Sequence, residues 1–98
     1  MRIAAHDLGS NSFHSIVVEV HTDGTFHEVA REKEMLRLGS IVSQHGRLTE
    51  EAIERAVITL KRMRALASSA GADEQLACAT SALREADRKS TRLNSSHG

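Results

Sequence analysis

Tryptophan, tyrosine and proline are absent from the sequence, cysteine occurs once, and Phe13 and Phe26 are its only aromatics. Without large rings, a core must be assembled from small aliphatic side chains and is correspondingly thin. The lone Cys78 excludes an internal disulfide, fits a reducing, cytoplasmic compartment and reads as a small buried hydrophobe. Charge of one sign is also lacking. The 13 basic and 13 acidic residues cancel, so no strong field draws the chain onto nucleic acid or an anionic membrane. No apolar run has the length of a membrane span, and the run after Arg2 breaks at His6 and Asp7, too early for a secretory signal core. The 98 residues suffice for one small domain.

What is present is organised around Asp7-Leu8-Gly9-Ser10-Asn11-Ser12, between the apolar runs 3–5 and 16–20. A carboxylate at a strand end can hold a divalent cation directly or through water. Gly9 lets the backbone turn tightly and approach an anion without interference from a Cβ. Ser10, Asn11 and Ser12 then supply short donors. The same residue types also make ordinary hairpin turns, so these six positions alone support either a phosphate cradle or a plain turn.

The rest of the chain reads as an α/β arrangement. Residues 2–6 form a strand that delivers Asp7 to its carboxyl end. Residues 13–20 form a second, with Phe13, Ser15, Val17 and Glu19 on one face and His14, Ile16, Val18 and Val20 on the other. Asp23-Gly24 predicts a tight hairpin, hence a third, antiparallel strand from about Thr25; on propensity alone a helix over 28–37 competes. Residues 39–47 read as a surface loop. Thr49 is an N-cap, Glu50 and Glu51 suit the first turn, and Leu48 can staple onto Ile53. Ile53, Ala56, Val57, Leu60, Met63, Leu66, Ala67 and Ala70 then mark the buried face of a helix over about 50–70, ended by Gly71. Met35 and Met63 read as core fillers, and Lys61, Arg62 and Arg64 as a solvated face.

Leu76-Ala77-Cys78-Ala79 predicts a buried strand which, reached through a helix, runs parallel to the first. Thr80 and Ser81 would then lie at the same sheet edge as Asp7 and Gly9, where ligands collect in α/β folds. His14, His21, His27 and His45 show no ligand spacing in the sequence. From Asp87 onward one residue in twelve is apolar and no period survives; this tail, 87–98, reads as unstructured, and 87–97 resemble the translation of a sequencing-library adapter.

The motif at 7–12, Arg37-Leu38-Gly39, Gly46-Arg47-Leu48-Thr49 and the run Ala79-Thr80-Ser81-Ala82-Leu83-Arg84-Glu85-Ala86 occur in an order that resembles the exopolyphosphatase and guanosine pentaphosphate phosphohydrolase (Ppx/GppA) family. The resemblance covers residues 1–86. It implies the N-terminal part of an actin-like, ribonuclease-H-like domain: three antiparallel strands, a crossover helix and a fourth strand parallel to the first. It further implies a Mg2+ ion near Asp7, phosphate contacts from Gly9, Ser10, Asn11 and Ser12, and a second contact region at Thr80, Ser81 and Arg84. The substrate class would be inorganic polyphosphate or guanosine pentaphosphate, and the resemblance allows a homodimeric parent.

In that family the catalytic glutamate and a second, glycine-rich phosphate loop lie beyond the position of Ala86, so no catalytic residue is assigned here and Glu85 is not promoted to general base. The chain is accordingly expected to be a fragment without turnover of its own. A non-enzymatic phosphate-binding or partner-binding module is the alternative, and a sugar kinase of the same superfamily is disfavoured by the segment 80–86. His6 departs from the family pattern, which places an aliphatic residue at that strand position.

Overall fold

The structure, a computed structural model, describes residues 1–79. Thr80, Ser81, Arg84, the helix-forming run behind them and the tail lie outside the described residues. Four strands and two helices follow in the order β1 (Arg2–Leu8), β2 (Ser12–Val20), β3 (Phe26–Met35), α1 (Leu38–His45), α2 (Glu50–Ser69) and β4 (Glu74–Ala79). They form one mixed sheet ordered β3-β2-β1-β4, with β1 antiparallel to β2 and parallel to β4. This is the arrangement expected from the sequence.

The hairpin between β2 and β3 forms where Asp23-Gly24 places it. Gly24 adopts φ 88°, and the Asp23 carboxylate accepts from the Thr25 amide and hydroxyl at 3.0 and 2.6 Å. Once the turn is set, β3 has a partner for its ladder, and pairing overrides the helix propensity of 28–37. A bulge between Val17 and Val18 leaves Val29 as the extra residue and turns its side chain into the core.

Helix α2 starts at its expected cap, with the Ala52 amide donating to Thr49 Oγ1 at 3.2 Å. It ends in a paired motif: Ala72 N–H to Ala67 O and Gly71 N–H to Ser68 O, both 3.0 Å, with Gly71 at φ 84°. The face it buries is rotated from the expected one. Ala52, Thr59, Met63 and Ala67 are buried, whereas Ile53, Val57 and Leu66 are exposed. Leu48 accordingly packs with Phe13 and Ala52 rather than stapling onto Ile53. Apolar residues occupy so much of the circumference of α2 that their spacing does not by itself choose the inward side.

The core has two parts. Phe13, Leu36, Leu38, Ala52 and Met63 pack beneath the 7–12 turn, and Ala4, Val17 and Ala67 pack towards the other end of the sheet. Between them lies a buried polar seam. His6 meets Ser15 Oγ through Nδ1 at 2.8 Å and Gln75 Oε1 through Nε2 at 2.7 Å. The Gln75 amide nitrogen donates to the Arg64 carbonyl and the Ser68 hydroxyl at 3.2 and 3.0 Å. Because a carbonyl can only accept, it fixes the orientation of the Gln75 amide. His6 Nε2–H must then donate to Oε1, and the Ser15 hydroxyl, which can donate or accept, completes the bonding of Nδ1. The unexpected histidine therefore sits with both ring nitrogens bonded, linking β1, β2, β4 and α2.

Three expectations about burial fail. Met35 is 51% exposed and Leu76 62% exposed, and Cys78 is exposed as well. β4 is an edge strand, and Leu76 and Cys78 lie opposite Ala5 and Asp7 on the sheet face away from α2. That face also carries Ile3, Ile16 and Val18, and among the described residues no helix packs over it. A corrected reading also applies to 39–47, where a loop was expected and α1 forms. Leu38 is fully buried, Ile41 packs on the Phe13 core, and Gly46 closes the helix at φ 73° with its amide on Val42 O at 2.7 Å. No described helix is long and apolar enough to cross a membrane.

An apolar sheet face that no described helix covers, with β3 and β4 as edge strands among the described residues, favours association. Sedimentation velocity on the 98-residue chain should show concentration-dependent self-association, and heating should give a broad transition; a sharp, reversible, concentration-independent melt would contradict the exposed face.

Electrostatics tie the start of β1 to the end of β2 and to the C-terminus of α2. The N-terminal ammonium and Arg2 Nε bond the Glu19 carboxylate at 2.8 and 3.2 Å, and Arg2 Nη1 donates to Ala70 O at the C-terminus of α2 at 2.7 Å. The bond from the N-terminal ammonium, then that from Arg2, holds the Glu19 carboxyl below its ordinary value of 4.5. A carboxyl with a depressed folded value stabilises the fold above its unfolded value, and this is lost as pH falls through the folded one. Replacing Glu19 with Gln should therefore flatten the loss of melting temperature below about pH 4.5, and the difference should shrink in high salt; identical acid profiles would remove Glu19 from the account.

Candidate functional site

The segment 7–12 joins β1 to β2 and is held by backbone bonds on its inner side. Gly9 N–H donates to Ser12 O at 3.0 Å, closing the turn. A Cβ on Gly9 would stand 2.6 Å from that same carbonyl oxygen, so this position requires glycine for close approach, not for an unusual φ. The carbonyl of Asn11 accepts from both Leu36 N–H (2.8 Å) and Arg37 N–H (2.7 Å), and the Ser10 carbonyl accepts from Gly39 N–H.

The clamp comes from the linker between β3 and α1. Leu36 and Leu38 are buried against Phe13, and between them Arg37 takes the left-handed conformation, φ 55° and ψ 39°. That reversal lets two flanking leucines point inward while successive amides point at the turn. Such a conformation is costly for a residue with a Cβ and persists only where its surroundings impose it. Arg55 adds a bond from Nη2 to the Leu36 carbonyl at 2.7 Å.

With its carbonyls so occupied, the turn presents side chains outward. Asp7 and Asn11 are exposed, and Ser10 and Ser12 are half-buried. Asn11 lines a shallow, open depression with Gly39, Ser40, Ser43 and Gln44 from the first two turns of α1. Ser12 Oγ lies 3.1 Å from His14 Nε2. Across the ladder, Asp7 pairs with His14 and His14 with Lys33, so a carboxylate, an imidazole and an ammonium-bearing residue share one row on one sheet face.

The structure thus brings together Asp7, Gly9, Ser10, Asn11 and Ser12 as a single built turn. It ends its description at Ala79, which lies opposite Leu8 in the parallel ladder, so the contacts expected from Thr80, Ser81 and Arg84 fall outside the described residues. Sequence reasoning missed His14, Lys33 and Ser40 as neighbours of this turn. The first two follow from counting in twos from Asp7 through a hairpin of known register, and Ser40 from the spacing of Leu38, Ile41 and Val42, which is helical.

Among the described residues no three His, Cys, Asp or Glu side chains converge on one point. The described residues by themselves form no three-ligand cage. Mg2+ bound in its usual manner fits here: one carboxylate, with water and substrate phosphate oxygens completing the octahedron. Asp7, exposed at the strand end beside the turn, fits that role.

Overpacking of the Gly9 position is testable. Gly9→Ala should destabilise the fold by about 1–3 kcal/mol in urea unfolding, through displacement of the Ser12 carbonyl. A change within error would show that the turn relaxes freely and is not clamped.

Comparisons with known proteins agree on one family. Residues 17–94 match the Ppx/GppA phosphatase family. The chain is 33% identical over 87 residues to Exopolyphosphatase 1 of Mycobacterium tuberculosis, a span covering 89% of this chain and 25% of that protein. It is 46% identical over 52 residues to guanosine-5'-triphosphate,3'-diphosphate pyrophosphatase of Vibrio vulnificus, covering 53% of this chain and 10% of the relative. The crystal structure of an exopolyphosphatase from Cytophaga hutchinsonii superposes with a TM-score of 0.80 at 33% identity, over 93% of this chain and 29% of that one. The four-stranded sheet and its helix are part of the actin-like domain of such structures, and the chain spans about a quarter of the mycobacterial relative.

Proposed function

The chain belongs to the Ppx/GppA phosphatase family, and we propose that it is the first phosphate-loop portion of a phosphatase acting on terminal phosphoanhydrides of inorganic polyphosphate or guanosine pentaphosphate. The observation that carries this reading is the clamped turn. Its carbonyls are consumed by Leu36, Arg37 and Gly39 amides, so the surface it offers is one of hydroxyl and amide donors beside a carboxylate. A plain hairpin turn has no need of such an inner scaffold.

In this role Ser10, Asn11 and Ser12 donate to phosphate oxygens, and Gly9 keeps the backbone low enough for approach. Asp7 would hold Mg2+, which supplies charge neutralisation and an electrophilic contact to the phosphoanhydride when bound. His14, next to Ser12 and across from Asp7, orients the Ser12 hydroxyl. Thr80, Ser81 and Arg84 form the second contact region, the guanidinium being shaped for bidentate phosphate binding. By the family resemblance the carboxylate that activates the attacking water lies beyond the position of Ala86, so the role proposed for residues 1–86 is phosphate binding rather than turnover. The lone cysteine and the balanced charge support a reducing, cytoplasmic setting for the same reading.

Incubation with polyphosphate and Mg2+ should release no phosphate, while titration calorimetry with tripolyphosphate should show Mg2+-dependent binding that Asp7→Asn weakens about tenfold, or ~1.4 kcal/mol. Phosphate release that survives purification and disappears in Asp7→Ala would overturn the binding-only reading. Binding unaffected by Asp7→Asn and by Asn11→Ala would remove the turn as the phosphate site.

A further inference from the structure

Away from the 7–12 turn, at the opposite end of the β2–β3 hairpin, two histidines that are six residues apart in sequence meet through their ring nitrogens. His21 Nε2 and His27 Nδ1 are 2.8 Å apart, the ring centroids are separated by 4.9 Å, and the ring planes are inclined by 27°. Both residues are exposed. Across that 2.8 Å contact one ring nitrogen donates its N–H to the lone pair of the other, so two potential ligand atoms lie side by side at the end of the hairpin.

The hairpin holds this geometry from below. His21 N–H donates to Thr25 O at 2.8 Å, Gly24 N–H donates to His21 O at 3.0 Å, and Asp23 is engaged twice by Thr25. His27 is fixed in β3 by its pairing with Glu19. The two imidazoles are therefore presented by a closed, short turn rather than by independent flexible segments. Once one ring has bound an ion, the second binds it at a high effective concentration.

We propose that the His21–His27 pair is a two-imidazole chelating site for a late first-row divalent cation of the Cu2+ and Ni2+ class. Two nitrogen ligands about 2.05 Å from an ion and at right angles to each other stand about 2.9 Å apart. The 2.8 Å of the metal-free pair is that of its hydrogen bond, and small rotations of the two exposed rings bring both nitrogens to that spacing once an ion replaces the shared proton. A right-angled pair of imidazoles with open positions suits the square-planar or octahedral preference of Cu2+ and Ni2+, and these ions stand at the strong end of the affinity order for nitrogen ligands. On binding, the ring that donates in the metal-free pair moves its proton to its other nitrogen, so both imidazoles coordinate in their neutral form. Water fills the remaining positions, since Asp23 is bonded to Thr25 and Glu19 to the N-terminus and Arg2. This site is separate from Asp7 in place and in ligand chemistry, one taking imidazole-seeking ions and the other an oxygen-seeking ion.

The test is calorimetric titration of the full 98-residue chain with NiCl2 at neutral pH, with no phosphate present. One Ni2+ should bind per chain. His21→Ala and His27→Ala should each weaken it by at least about tenfold, and the double substitution should weaken it no further than either single one, because one remaining imidazole gives no chelate. His45→Ala should leave binding unchanged. At a substoichiometric level of Ni2+, the imidazole proton signals of His21 and His27 should broaden together. Unchanged affinity in both single variants would overturn the site. So would additive losses, with each histidine binding on its own. The hairpin residues are exposed, so the alanine variants keep the fold, which circular dichroism verifies independently.

Discussion

The carbonyl of Asn11, accepting two successive amides from Leu36 and Arg37, is the contact on which the rest of the arrangement depends. It joins the turn after β1 to the linker after β3, and this linker can reach it because Arg37 takes a left-handed conformation that its neighbours enforce. The burial of Leu36 and Leu38 against Phe13 supplies the enforcement. Hydrophobic burial of order 1.5–3 kcal/mol per leucine outweighs the strain at one residue, about 1–3 kcal/mol. The surplus is spent on geometry: a turn whose acceptors are turned inward and whose donors are turned outward.

Below the turn, the molecule divides its packing between two small apolar clusters and a polar seam. A core with only one buried phenylalanine cannot select a register by shape alone, and His6, Ser15 and Gln75 do so by directional bonding. Sliding β4 by one residue along β1 would turn Gln75 to the other face and leave a buried imidazole unsatisfied, at a cost of about 1–3 kcal/mol. Since Ala79 faces Leu8 only in the observed register, the seam also decides which residues of β4 stand level with the 7–12 turn.

Much of this was legible in the sequence, because the signals were local. Asp23-Gly24 carries its own turn chemistry, Thr49 and Gly71 mark the two ends of α2, and the alternation from Phe13 to Val17 gives the inner face of β2. What was not legible depends on partners far away. The inward side of α2 is chosen by the sheet, so Thr59 is buried while Ile53 and Val57 are exposed. Cys78 and Leu76 read as buried because they are apolar, but β4 is an edge strand whose outer face no described helix covers. Residues 39–47 read as a loop because glycines and serines masked the three-four spacing of Leu38, Ile41 and Val42. The turn residues were found by type, whereas the clamp that makes them a site involves residues 25 to 29 positions away and appears only in three dimensions.

Function follows from this construction. The chain belongs to the Ppx/GppA phosphatase family and spans about a quarter of the mycobacterial relative it matches. The measurement that bears most directly on the account is amide hydrogen exchange at Leu36, Arg37 and Gly39, three residues outside any strand. If the clamp holds the turn, these amides exchange as slowly as those of the β1–β2 ladder, since they open only when the sheet does. If they exchange at the rate of an unstructured peptide, the Asn11 and Ser10 carbonyls are not held, and the turn is an ordinary hairpin rather than a preformed phosphate cradle.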